Sequence, residues 1–235
     1  GKYGPIIGSI LGVIPQCGFS VAASNLYATK IITKGTLIAI FLSTSDEMIP
    51  VLLSENIAIK KILLILSIKI IVGIIIGLLV DIIFKEENNS ENTIDKLCEE
   101  THCDCEHKPI LSSIKHTISI TGFIFIFSLI LNIIVEYYGH TYIEKVLSYN
   151  NVIGPLISSL VGLIPNCASS VIISEMYAKG IVNISSLIAG LLTNSGLGIL
   201  ILFKTNKNIK DNLLILSIIY VVGVLVGVLS SFLLA

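Results

Sequence analysis

Two acidic residues stand where a chain this apolar offers little to solvate them. Asp46 and Glu47 close the run Ser43-Thr44-Ser45-Asp46-Glu47, in the middle of an otherwise apolar block. An ionised carboxylate costs several kcal/mol in the middle of a spanning segment, so such residues usually face a cavity and mark an ion or proton path. The plainer reading is a short or tilted block that leaves both acids at a solvated mouth. A second group of polar residues follows two prolines: Gln16, Cys17 and Ser20 after Pro15, and Asn166, Cys167 and Ser170 after Pro165. Amide, thiol and hydroxyl groups beside freed carbonyls and a half-helix N-terminus can coordinate an ion or orient a dipole. Equally, the two cysteines can be small packing residues.

Thr193, Asn194 and Ser195 form a third polar interruption. Glu175 and Lys69 also lie within apolar stretches. The first could face the same cavity, and the second could pair with an acid or snorkel to an interface. A fourth cluster reads Cys98-x3-His102-Cys103-Asp104-Cys105-Glu106-His107. Its thiols and imidazoles suit soft or borderline metals, but the spacing is too tight for a structural zinc knuckle. It is either a loop that collects or senses metal or a solvated linker. There is no nucleophile elbow, P-loop or HExxH motif, so nothing points to an enzyme or to a nucleotide-driven pump.

These residues are positioned by a duplication. Residues 4–45 align with 154–195 at a constant offset of 150 without a gap, and 19 of the 42 positions are identical. GPIIGSILGVIPQCGFSVAASNLYA matches GPLISSLVGLIPNCASSVIISEMYA, and the offset persists at Leu63–Ser67 with Leu213–Ser217, Gly73 with Gly223 and Gly77 with Gly227. Apolar composition alone would not hold Pro, Cys, Ser, Tyr and Gly in register over that length. Duplicated halves with a site at their interface are a common plan of secondary transporters, although a duplicated membrane protein need not transport. Against this register Asp46 and Glu47 are departures, because the second copy has Gly196 and Leu197 there. Glu175 matches Asn25, and Lys69 matches Ile219.

Each copy contains three apolar blocks, 4–32, 35–54 and 57–84 in the first and 154–182, 185–203 and 209–235 in the second; a further block, 113–138, precedes the second copy. The third blocks meet the roughly 20 residues needed to span a bilayer. The first blocks are cut near the middle by Pro15 and Pro165, and a proline interrupts the helix because it lacks the backbone donor. Each half of such a block is about 16 Å long at helical rise, short of a core of about 30 Å. It is therefore a broken spanning helix or a re-entrant hairpin. Irregular backbone at membrane depth is tolerated only where protein or a water-filled cavity covers it.

Composition agrees with a membrane location: 54% of residues are hydrophobic, only 13% are charged, and mean hydropathy is +0.92. Soluble domains carry about a quarter charged residues. A net charge of −1 gives no reason to expect a nucleic-acid partner. Residues 85–108 hold eight acids against three lysines and read as a solvated linker. The predicted organisation is all-α and polytopic, with two-fold, inverted internal repeats containing broken or re-entrant helices. Residues 1–84 form the first repeat, 85–111 the linker, and 112–235 the second repeat with its preceding helix. The opening Gly1 reads as internal to a longer protein whose first helix or helices precede it. Lysines at both ends of the blocks leave orientation open.

The runs Pro15-Gln16-Cys17-Gly18-Phe19-Ser20 and Ser43-Thr44-Ser45-Asp46-Glu47 resemble a family of ten-helix heavy-metal exporters, labelled arsenic efflux proteins or manganese transporters. The resemblance covers nearly the whole chain. It implies a multi-pass protein of the cell membrane that exports a metal ion or small solute, with a metal ion as substrate rather than as a resident cofactor. The residues are divided over that substrate. Asp46, Glu47, Ser43, Thr44, Gln16 and Asn166 are hard oxygen donors suited to a manganese-like cation, whereas Cys17, Cys167 and the linker thiols suit soft metals or arsenite. The carboxylates favour the divalent cation, since they would neutralise its charge where desolvation is costly. A coupling proton or sodium ion fits this reading, as does, in another class, a membrane-embedded metal sensor or assembly factor acting through the linker.

Overall fold

The computed structural model describes residues 3–45, 47–84 and 153–233, and five single positions, Gly122, Phe125, Ile126, Leu129 and Ile133. Asp46, the linker with Cys98, His102, Cys103, Cys105 and His107, and most of block 113–138 lie outside the described residues, as does the Cys17 side chain. Helix is the only regular structure among the described residues. In the first copy the helices are α1 (Gly4–Gly12), α2 (Cys17–Ala28), α3 (Lys34–Ser43), α4 (Met48–Ser54) and α5 (Ile59–Ile83). In the second they are α6 (Ile153–Gly162), α7 (Ala168–Ala178), α8 (Ile184–Thr193), α9 (Gly198–Thr205) and α10 (Ile209–Leu233).

Every interruption falls where the sequence breaks its own pattern. Residues 13–16, with Pro15, separate α1 from α2, and residues 163–167, with Pro165, separate α6 from α7. The runs beginning at Thr44 and Asn194 separate α3 from α4 and α8 from α9. Among the described residues, four stretches are long and apolar enough to cross a membrane: Lys34–Ser54, Ile59–Ile83, Ile184–Thr205 and Ile209–Leu233. The interrupted pair is enclosed, with 71% and 89% of its most apolar window buried, against 28% and 33% for the two continuous helices. Broken backbone thus sits inside the protein, as the lack of water at membrane depth requires.

Small residues set the packing. On α5 the buried stripe is Ile62, Ile65, Lys69, Gly73, Gly77 and Val80, one face of a helix. A Cβ added at Gly77 would come within 2.7 Å of the Gly35 carbonyl oxygen and 2.8 Å of Ala39 Cβ, so only glycine lets α5 lie this close to α3. Gly223 and Gly227 bring α10 onto Ala189 of α8 in the same way. Lipid tails are as apolar as leucine, so close van der Waals contact and hydrogen bonds, not burial from water, hold such helices together.

The first block folds back on itself. Going along α1, Gly4 lies against Thr36, Gly8 against Ile40 and Gly12 against Ser43, so α1 runs beside α3 in the same direction. The chain turns at residues 13–16, and α2 returns: Tyr27, near its end, donates a 2.5 Å hydrogen bond to Asp211, itself paired with Lys34 at the start of α3. Of the two expectations for this block, the hairpin is the one adopted. The returning α2 packs on α9 of the other copy, and α7 packs on α4, the matched contact. The first turn of α3 also meets the last turns of α5: Asp81 accepts from Gly35 N at 2.8 Å and from Thr33 Oγ1 at 2.8 Å. That carboxylate stabilises the positive end of the α3 dipole.

Candidate functional site

Hydrogen bonds tie the breaks to neighbouring segments within and between the copies. Ser45 Oγ donates to the Val13 carbonyl at 2.5 Å, tying the α3–α4 break to the α1–α2 turn. Thr193 Oγ1 donates to the Ser159 carbonyl at 2.9 Å, tying the end of α8 to α6. Between copies, Ser24 Oγ donates to the Gly198 carbonyl at 2.7 Å. A Cβ added to Gly198 would stand 2.6 Å from the Phe41 ring and 2.9 Å from Ser20 Cβ. Thus the start of α9 is pressed against α2 and α3. Lys69, fully buried in α5, donates through Nζ to the carbonyl of Leu191 in the last turn of α8.

Most of the hydroxyls at these breaks close helix ends. Ser43 Oγ and Thr44 Oγ1 both donate to the Ile40 carbonyl, at 3.0 and 2.7 Å. Asn194 Oδ1 accepts from Gly196 N at 3.0 Å, and Asn166 Oδ1 accepts from Ala168 N at 3.3 Å. Ser170 Oγ donates to the Cys167 carbonyl at 2.8 Å. Ser195 differs: it is 1% exposed, yet its Oγ has no hydrogen-bond partner, although the matched Ser45 has one. The Oγ atoms of Ser158, Ser159 and Ser174 are likewise buried and unpartnered, all in the second copy.

The sequence-predicted residues divide accordingly. Ser43, Thr44, Ser45, Asn166, Ser20, Ser170, Thr193, Asn194 and Ser195 are all buried. Gln16 and Glu47 are exposed, and Cys167, a thiol outside any disulfide, is half-buried. Glu175 does not join the buried group: it forms an i,i+4 pair with Lys179 at 3.8 Å, its side chain 37% exposed. Lys69 does not snorkel, being held in the interior. Among the described residues no three His, Cys, Asp or Glu side chains come together as a metal centre. A 320 Å³ cavity between α5 and α10 is lined by Ile68, Val72, Leu225, Leu229, Leu233 and Ser230, whose hydroxyl is bonded to the Gly227 carbonyl at 2.7 Å, and its walls are apolar.

One network was not foreseen from the residues. Lys34 Nζ lies 2.7 Å from Asp211 Oδ1, with side-chain exposures of 9% and 15%. Asp211 Oδ2 accepts from Tyr27 Oη and, at 3.1 Å, from Asn206 Nδ2, while Lys34 also lies 4.7 Å from the centre of the Phe84 ring. The pair joins the two copies. Its matched positions are Ile184 and Lys61, so both members depart from the repeat, in complementary charge. That complementarity was the available signal.

Two overlapping segments, residues 2–138 and 110–233, match the profile of a family described as "Putative, 10TM heavy-metal exporter". No curated protein matches, and no solved structure matches. The two segments together span nearly the whole sequence, and the chain belongs to this heavy-metal exporter family.

Proposed function

We propose that this multi-pass membrane protein of the heavy-metal exporter family is a secondary transporter carrying a divalent, manganese-like cation out of the cell through the seam between its two copies. The observation that carries the reading is the contact of the second copy's chain break with the first copy: the start of α9 at Gly198 lies against Ser20 and Ser24 of α2, and in the break before it the buried Ser195 hydroxyl is left unpartnered. Broken helices offer a cation what a continuous helix cannot: carbonyls without amide partners and the negative end of a half-helix dipole. Hydroxyl and amide oxygens are hard donors suited to such an ion. In the sequence Asp46 and Glu47 fall between α3 and α4, and they would supply the charge that neutralises it.

The two copies are proposed to be related as an inverted repeat. Support comes from helix ends: the end of α5, at Asp81, meets the start of α3, and the start of α10, at Asp211, meets Lys34 at that same start. The two third helices therefore run in opposite directions. Rocking of one copy against the other would open the seam to each side in turn. The expected location is the plasma membrane.

Metal accumulation in cells expressing wild type or Asp46→Asn/Glu47→Gln at equal level tests the role of the acids. Lower accumulation in the wild type only is expected, and equal accumulation removes the acids from the account. Arsenical efflux is a second reading, favoured by the half-buried Cys167 thiol at the start of α7. In that case Cys17→Ser or Cys167→Ser lowers arsenite resistance and Asp46→Asn does not.

A further inference from the structure

The two copies meet through a matched pair of contacts, α2 on α9 and α7 on α4. They are not closed alike. In the first, Ser24 Oγ lies 2.7 Å from the Gly198 carbonyl oxygen, across the copies, and 2.9 Å from that of Ser20 in its own helix. The matched bonds would run from Ser174 of α7 to the carbonyls of Met48, at the start of α4, and of Ser170. Ser174 makes neither: it is completely buried, and its Oγ has no partner.

The difference extends to the ends of the contacts. A helical turn past Ser24, Tyr27 donates to Asp211, which Lys34 and Asn206 also hold. A turn past Ser174, Tyr177 is only half-buried, and the residues matching Lys34 and Asp211 are Ile184 and the exposed Lys61. At the matched positions of α4 and α7, then, both the serine bond and the ion pair are missing.

A buried hydroxyl without a partner is costly, and the first copy shows the arrangement that would satisfy Ser174. We propose, resting on the exporter and inverted-repeat readings above, that the two contacts are alternating gates: α2–α9 is the gate latched in this structure, and α4–α7 is the gate set to part. In the opposite state the serine bond changes sides. Ser174 donates to the Met48 carbonyl and closes α4–α7, while Ser24 releases Gly198 and the Lys34–Asp211 pair separates. Matched contacts of an inverted repeat lie toward opposite sides of the membrane, so this exchange gives each side access to the seam in turn. Because the ion pair has no counterpart in the second copy, it weights the equilibrium toward the state seen here.

Thiol modification of the full-length protein in detergent tests this, with the five native cysteines replaced by serine and a water-soluble methanethiosulfonate as the probe. Ser20→Cys reports on α2–α9, since Ser20 Cβ lies against Gly198; Ser174→Cys reports on α7, where the hydroxyl it replaces bonds nothing. A hydrogen bond to a charged group shifts an equilibrium by about tenfold or more. The Ser174→Cys thiol should therefore react about tenfold faster than the Ser20→Cys thiol. Adding Asp211→Asn should raise the Ser20→Cys rate about tenfold and leave the Ser174→Cys rate level or lower. Equal rates in the two parent proteins overturn the proposal. So does an Asp211→Asn that leaves the Ser20→Cys rate unchanged, or that raises both rates together as a loosened fold would. If Asp211→Asn does not fold, Tyr27→Phe should raise the Ser20→Cys rate several-fold, and an unchanged rate overturns the proposal equally. Downhill Mn²⁺ flux in liposomes holding the wild type separates the two readings. Flux together with failed thiol results overturns the gates alone; no flux overturns the exporter reading, and the gates with it.

Discussion

Replacing Asp211 by Asn removes one charge from the ion pair that joins the two copies and changes almost no volume. The carboxylate receives Lys34 at 2.7 Å, Tyr27 at 2.5 Å and Asn206 at 3.1 Å, with both charged side chains largely withdrawn from solvent. Hydrogen bonds to a charged partner contribute about 1.5–3 kcal/mol each, and stranding one member of a buried pair costs about 3–5 kcal/mol. The Phe84 ring under Lys34 returns about 0.5–2 kcal/mol to the stranded ammonium. Asp211→Asn should therefore destabilise the protein by about 2–3 kcal/mol. Lys34→Met, alone, leaves the carboxylate with Tyr27 and Asn206 and should cost about 1–2 kcal/mol. The double variant should cost less than the sum by about 1–2 kcal/mol, since neither charge is then unpaired. Denaturant unfolding of the four proteins in one detergent closes the cycle. Single effects that add to within about 0.5 kcal/mol would refute a desolvated, mutually dependent pair.

Other changes separate packing from transport. Ser195→Ala removes a buried hydroxyl that bonds nothing, so thermal stability should hold or rise by up to about 1 kcal/mol while Mn²⁺ flux falls; unchanged flux removes Ser195 from the ion's route. Gly12→Ala should cost about 1–3 kcal/mol in an unfolding assay, because the new methyl meets Ser43 Oγ and lies 3.0 Å from the Ile40 carbonyl, whereas Gly18→Ala, with nothing nearer than 3.9 Å, should be tolerated. Lys30 ends α2 at φ 57° where the matched residue is Gly180 at φ 73°, so Lys30→Gly should stabilise by about 0.5–1 kcal/mol, and a lowered melting temperature would contradict the strain argument.

The duplication made the breaks legible because Pro15 and Pro165 act locally, each removing a donor wherever the chain goes next. The buried hydroxyls at Ser43–Ser45 and Thr193–Ser195 were legible for the same reason, since polar residues interrupt the apolar run in both copies. The direction of the first block was not. Hairpin and broken span share one local pattern, and contacts between separate elements distinguish them: α1 against α3 at Gly4, Gly8 and Gly12, and Tyr27 with Asp211, 184 residues apart. Glu175 shows what an apolar block does not reveal: one turn on, Lys179 lets it pair on a partly exposed face. Departures from the repeat are a second signal beside polarity, and they mark Asp46, Glu47, Lys69, Lys34 and Asp211.

The central claim, export of a divalent cation, is tested most directly by flux from proteoliposomes of the full-length protein across Mn²⁺, Zn²⁺, Cd²⁺ and arsenite. The account predicts protein-dependent flux of Mn²⁺ and at least one other divalent ion, lost in Asp46→Asn/Glu47→Gln, and little flux of arsenite. Arsenite flux without movement of any divalent ion, unaffected by the two acids, would contradict it.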